Sequence, residues 1–210
     1  MPDKRKSFQQ FCPMATALDV VGERWTLLIL RELLGGPARF QDLLDGLPGI
    51  SRNLLTMRLR RLEEDGVLER VRRGGGSVYT LTEVGASIRP TLEQLAYWGA
   101  RVRRVAPPEH QRSVRAEAMA LQAILVHSGR VDPDVSFTVE VAVGDDRITF
   151  ELGERPTCEA RPSVDADARL RGPQGVFSDY LNGARMDGGL LARVSGSEEA
   201  RSALVAALGG

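Results

Sequence analysis

The run from Ser51 to Gly66, SRNLLTMRLRRLEEDG, fits one regular structure, a capped helix with one apolar and one polar face. Ser51 is placed to accept from the backbone N–H groups of the first turn, and Gly66 can take the positive φ at which such a helix stops. Leu54, Leu55, Leu59 and Leu62 recur at helical spacing and define the buried side. Asn53, Thr56, Met57 and Arg60 fall opposite them, with Arg52 flanking near the N-terminal end. Arginine and asparagine can each bond a base edge with two hydrogen bonds, and a helix carrying them near its start suits a DNA major groove.

Both flanks favour that reading over an ordinary surface helix. Upstream, Phe40–Leu47 reads as a short helix ending near Gly46, and Pro48-Gly49 turns it into the next, as in a helix-turn-helix. Downstream, Val67–Val71 and Val78–Thr82 are β-branched runs separated by Arg72-Arg73-Gly74-Gly75-Gly76-Ser77, a hairpin expected to have a flexible basic tip. Such a hairpin is a wing, with Arg72 and Arg73 placed for a phosphate or a minor groove. The glycine triplet is not a nucleotide-phosphate loop, because it follows no strand-to-helix transition and lacks the lysine-threonine ending.

Several separated blocks then occur in a recognisable order: Cys12-Pro13, Gly22–Leu33 (GERWTLLILREL), Gly36–Phe40 (GPARF), Leu47–Ser51 (LPGIS), Arg58–Glu63 (RLRRLE) and Tyr79–Gly85 (YTLTEVG). On these the first hundred residues resemble the HxlR-type, MarR-like winged-helix regulators of bacteria. The resemblance implies a homodimer that binds a roughly palindromic operator and acts on a neighbouring gene, dimerising through the N-terminal segment and the helix after the wing. That helix is expected from about Ala86 to Val105, with Ile88, Leu92, Leu95, Trp98 and Val102 as its apolar stripe.

Net charge is zero over 210 residues, which is unusual for a DNA-binding chain until it is divided before Pro107. Residues 1–106 hold 17 basic against 12 acidic side chains, whereas the remainder holds 11 against 16. The basic half is expected to be the winged helix-turn-helix and dimerisation domain, and residues 107–210 a second domain of acidic character. No apolar run is long enough to span a bilayer, and Lys4-Arg5-Lys6 precedes no secretory core, so a cytoplasmic protein without membrane insertion is expected.

Within the second half, His110–Ser128 reads as a helix with Ala118, Leu121, Ala123, Ile124 and Leu125 on its apolar side. Val135–Val143 alternates as a strand and turns at Gly144-Asp145-Asp146 into Arg147–Leu152. Further strands are expected at Cys158–Pro162, Ala166–Arg171 and Leu191–Val194. One helix is expected around Val176, Phe177, Tyr180 and Leu181, and a last one over Ser197–Leu208. The expected class is α+β, an antiparallel meander covered by helices behind the winged helix-turn-helix.

The order of these elements, with Asp167–Pro173, Val176–Gly183 and Arg193–Gly196, is similar to a sterol-carrier-protein-like domain. That resemblance implies a tunnel for a lipid or other hydrophobic molecule, lined here by Phe137, Val139, Phe150, Phe177 and Tyr180. The bland alternative stays open: aromatic residues at strand and helix spacing more often fill a core. Cys12 matches the cysteine that some regulators of the HxlR type use to sense oxidants, and Pro13 together with the basic arm suits a reactive thiolate. A small thiol packed without redox duty stays open as well.

Catalysis has little to build on. The chain has two histidines, His110 and His127, and two cysteines without paired spacing, so neither a metal nor a cofactor is expected. Glu63-Glu64-Asp65 adjoin the end of an exposed helix, and no serine sits in a nucleophile elbow. The expectation is a non-enzymatic, DNA-binding homodimeric repressor that reads DNA through Ser51, Arg52, Asn53, Thr56, Arg60, Arg72 and Arg73, tuned by a hydrophobic ligand. A redox-sensing repressor acting through Cys12 and a lipid carrier or adaptor that dimerises through its winged helix are the competing readings.

Overall fold

The computed structural model describes residues 7–102, 113–129, 131–132, 134–143, 146–154, 157–160, 162–172 and 194–208. The chain packs as two units, Met1–Arg89 and Pro90–Gly210. The boundary expected before Pro107 lies outside the described residues, as do His110, Phe177 and Tyr180.

In the first unit, α1 (Pro13–Val21) starts with proline, whose missing N–H costs nothing at a first turn. It leads through a corner at Gly22–Trp25 to α2 (Thr26–Leu34), α3 (Phe40–Gly46) and α4 (Arg52–Glu64). Ile29, Leu30 and Leu33 of α2, Leu43, Leu47 and the α4 row Leu55, Leu59 and Leu62 are nearly fully buried and form the core. Leu54, expected on the buried side, is half-buried at its edge.

The hairpin pairs β1 (Leu68–Arg73) with β2 (Gly76–Leu81), Arg72 opposite Ser77 and Arg73 opposite Gly76. The expected flexible six-residue tip is instead a two-residue turn in which Gly74 (φ 55°) and Gly75 (φ 77°) are both left-handed, the geometry that matches the twist of a hairpin. Ala38 and Tyr79 exchange backbone hydrogen bonds of 3.0 and 2.8 Å, which tie the entry to α3 to the wing.

The single helix expected over Ala86–Val105 is broken. Thr82 caps a one-turn helix α5 (Glu83–Ala86), and α6 (Arg89–Val102) starts afresh after Ser87-Ile88. Pro90 is the cause, since proline has no N–H to donate to the carbonyl four residues before it and is suited to the first turn of a new helix. Ile88 therefore stands in the break, outside the stripe it was expected to share.

In the second unit α7 (Val114–Ser128), capped by Ser113, lies against a five-stranded sheet of β3 (Phe137–Val143), β4 (Asp146–Leu152), β5 (Thr157–Glu159), β6 (Ala168–Gly172) and β7 (Val194–Gly196). α8 (Glu198–Leu208) packs beside α7 and also touches β3 and β7. The strand order is β5-β4-β3-β6-β7. The expected antiparallel meander holds for β3, β4 and β5, but β6 returns to pair with β3 in parallel, so the sheet is mixed. Asp167 anchors that crossover: its carboxylate accepts the Thr138 N–H at 2.7 Å and its own N–H donates to the Thr138 carbonyl at 2.8 Å. Leu121, Leu125, Val139, Val141, Ile148, Phe150, Leu170 and Leu204 are buried together between sheet and helices. No helix among the described residues is long and apolar enough to cross a membrane.

Candidate nucleic-acid interface

Ser51 starts α4 as expected, with its Oγ accepting the Leu54 N–H at 3.3 Å, and Gly66 follows the helix at φ 69°. Arg52, Asn53, Thr56 and Arg60 are all exposed on the face away from Leu55, Leu59 and Leu62. Their environments differ. The Arg52 guanidinium donates from Nη2 to the Gln41 Oε1 at 2.8 Å and lies 5.9 Å from the centre of the Phe40 ring, while Gln41 donates to Asp45 at 2.7 Å. An arginine braced on α3 in this way loses less conformational freedom when it meets a base. Thr56 donates its hydroxyl hydrogen to the Arg52 carbonyl at 2.9 Å, leaving its oxygen lone pairs to accept. Arg60 is paired with Glu64 at 2.8 Å on an exposed turn, a weak pair that a phosphate can displace.

Arg72 and Arg73 are exposed on the last two positions of β1, and their side chains leave the strand on opposite faces. The tight Gly74-Gly75 turn holds their backbone in register. Three neighbours were missed in the sequence. Gln41 reads as an ordinary polar helix residue, although its spacing to Asp45 (i, i+4) is the visible half of the brace. Arg39 brings its guanidinium next to the wing, where a Cβ on Gly76 would lie 3.7 Å from its Cζ. Arg58, named in the sequence only within the RLRRLE block, is 7% exposed; its Nε donates to the Arg24 carbonyl at 3.2 Å and its Nη2 to Glu23.

Leu92 is buried, while Leu95, Trp98 and Val102 on α6 are 43%, 60% and 61% exposed. Val139 and Phe150 lie inside the sheet core and Phe137 packs against it. Phe150 borders a void of about 10 Å³ and Phe137 one of about 40 Å³. Cys12 is half-buried at the cap of α1, Cys158 is buried in the second unit's core, and neither forms a disulfide.

The chain that carries this arrangement is similar in sequence to known proteins. Residues 20–106 match the family described as HxlR-like helix-turn-helix. The HTH-type transcriptional regulator YdeP of Bacillus subtilis is 36% identical over 93 residues, which cover 43% of this chain and 73% of that protein. YodB of the same organism, also an HTH-type transcriptional regulator, is 34% identical over 91 residues, covering 41% and 81%. The regulator Rv3095 of Mycobacterium tuberculosis is 45% identical over 86 residues, covering 40% and 54%. The crystal structure of quinone-bound YodB is similar over 43% of this chain and 99% of its own, with 34% identity and a TM-score of 0.39. These relatives are transcription regulators and not enzymes. Through its N-terminal half, the chain belongs to the HxlR-like family of helix-turn-helix transcriptional regulators.

Proposed function

We propose that the protein is a sequence-specific repressor that binds a palindromic operator as a homodimer, each protomer setting α4 in a major groove and its hairpin on the flanking backbone. The observation that carries this is the braced Arg52 beside exposed Asn53 at the capped start of α4. In this reading Arg52 and Asn53 contact bases, Thr56 either bases or backbone, and Arg60, Arg72 and Arg73 phosphates. The exposed stripe Leu95, Trp98 and Val102 supports dimerisation through α6, because three large apolar side chains on one helix are costly to leave in water.

The test is binding to the DNA upstream of its own gene against a random duplex at two salt concentrations. A regulator of this kind prefers the upstream DNA at both, and its affinity falls with salt in proportion to the phosphates it neutralises. Equal affinity for both duplexes overturns the proposal in favour of an adaptor that uses its winged helix for protein contacts. Adding a bacterial lipid extract to the same assay decides whether a hydrophobic ligand tunes binding. Indifference to the extract removes that tuning, and alkylation of Cys12 then tests the redox alternative.

A further inference from the structure

The first unit contains a cavity of about 360 Å³ between the N-terminal arm, the end of α1, the corner leading into α2 and the inner side of α4. That volume falls in the range of small-ligand sites. One wall is apolar, from Phe8, Leu18, Val20 and Leu62, and the other carries acidic and basic groups in unequal states. Asp19 already accepts the Ser7 hydroxyl at 2.7 Å and the Phe8 N–H at 2.9 Å. Glu23 is divided between the Arg58 and Arg61 guanidiniums. Two buried polar atoms of residues that line it have no hydrogen-bond partner: Nη1 of Arg58, a residue 7% exposed, and Oγ1 of Thr26, 2% exposed. Unpartnered buried donors are rare in native proteins and are a sign of an acceptor supplied from elsewhere.

The chemistry of that acceptor follows from the wall. Guanidinium favours a planar carboxylate, which offers two oxygens to a forked donor. The Glu23 side chain is about half exposed and can swing to water, whereas that of Arg58 is held at 8% exposure. An incoming carboxylate therefore competes with a mobile partner for a fixed one. We infer that this cavity binds a small organic monocarboxylate, its head on Arg58 and Thr26 and its tail against Leu18, Val20 and Leu62. Because Arg58 and Leu62 belong to α4, a ligand that fits one position of that helix better than another changes operator affinity. This second clause rests on the regulator reading above.

The first measurement uses calorimetry on the full chain without DNA, with hexanoate and its neutral analogue hexanamide as probes. Hexanoate is expected to saturate at or below about 10 mM and to bind at least about tenfold more tightly than hexanamide. Leu18→Trp fills the apolar wall from a partly exposed position and is expected to lower hexanoate affinity at least about tenfold with an unchanged melting temperature. Should that variant melt early, the isosteric Thr26→Val replaces it, with weaker hexanoate binding expected. Absence of saturation, equal affinity for the two probes, or undiminished binding in the folded variant overturns the assignment. Operator binding with and without hexanoate is read separately: unchanged affinity overturns the regulatory clause. Failure to bind the operator in either case strikes the regulator reading and leaves calorimetry to decide the cavity.

Discussion

Arg58 and Arg60 stand two positions apart on α4 and have opposite fates, since a step of about 200° around the axis carries one into the protein and leaves the other in water. The pair shows why composition alone misassigns a basic helix: the count of arginines gives a field, whereas the face gives the role. At this scale the base-reading assignment is sharp. Arg52→Ala should weaken specific binding by about 1 to 3 kcal/mol and relax sequence preference, while Arg72→Ala should mainly reduce the slope of affinity against salt by about 1. Titrations of specific and random duplexes at several salt concentrations separate the two, and equal losses on both duplexes for both variants contradict the assignment. Gln41→Ala releases Arg52 from its brace without touching the helix that carries it. Specific affinity should fall by roughly 0.5 to 1.5 kcal/mol through lost pre-organisation, with random-duplex affinity unchanged.

Among the elements, those with local signals were legible in the sequence and those set by distant partners were not. Ser51 and Gly66 bracket α4 because a cap and a left-handed stop act through the residues beside them. The helix break at Ser87-Ile88 was written in Pro90 but hidden by an apolar stripe that continues across it. The parallel partner of β3 could not be read from strand spacing, because the pairing depends on where the chain returns after β5. The clustering of Arg39 with the wing and of Arg58 with Glu23 joins residues far apart in sequence and required the fold. The joint between wing and α5 depends on one close approach, since a Cβ on Gly85 would sit 1.8 Å from the Val67 carbonyl oxygen. That contact cannot be relieved by turning a side chain. Gly85→Ala should therefore cost roughly 2 to 4 kcal/mol in urea unfolding, and a loss under 1 kcal/mol would show that α5 can shift freely.

For the whole molecule, the proposed homodimer predicts that a single charge on α6 undoes the assembly. Trp98→Glu should turn a dimer into a monomer in sedimentation velocity and lower operator affinity together with it, because a palindrome is read well only by two heads at once. A variant that stays dimeric would move the interface away from α6. The net charge of zero hides this division of labour: the half with a surplus of basic residues contains the reading helix, and the half with a surplus of acidic residues contains the mixed sheet.

The return of β6 to β3 also sets a timetable. The first unit closes on itself within Met1–Arg89, largely through neighbouring helices and one hairpin, whereas the sheet of the second waits for β6, β7 and α8 to arrive. Contacts between segments remote in sequence form late, so the reading head should be folded on the ribosome while the sheet is still incomplete. The two tryptophans are divided between the units, Trp25 in the first and Trp98 in the second. In single-tryptophan variants refolded by dilution, the Trp25 signal should settle first. A nascent chain stalled before β6 would then already display a finished DNA-reading surface, attached to a sheet whose central strand still lacks one neighbour.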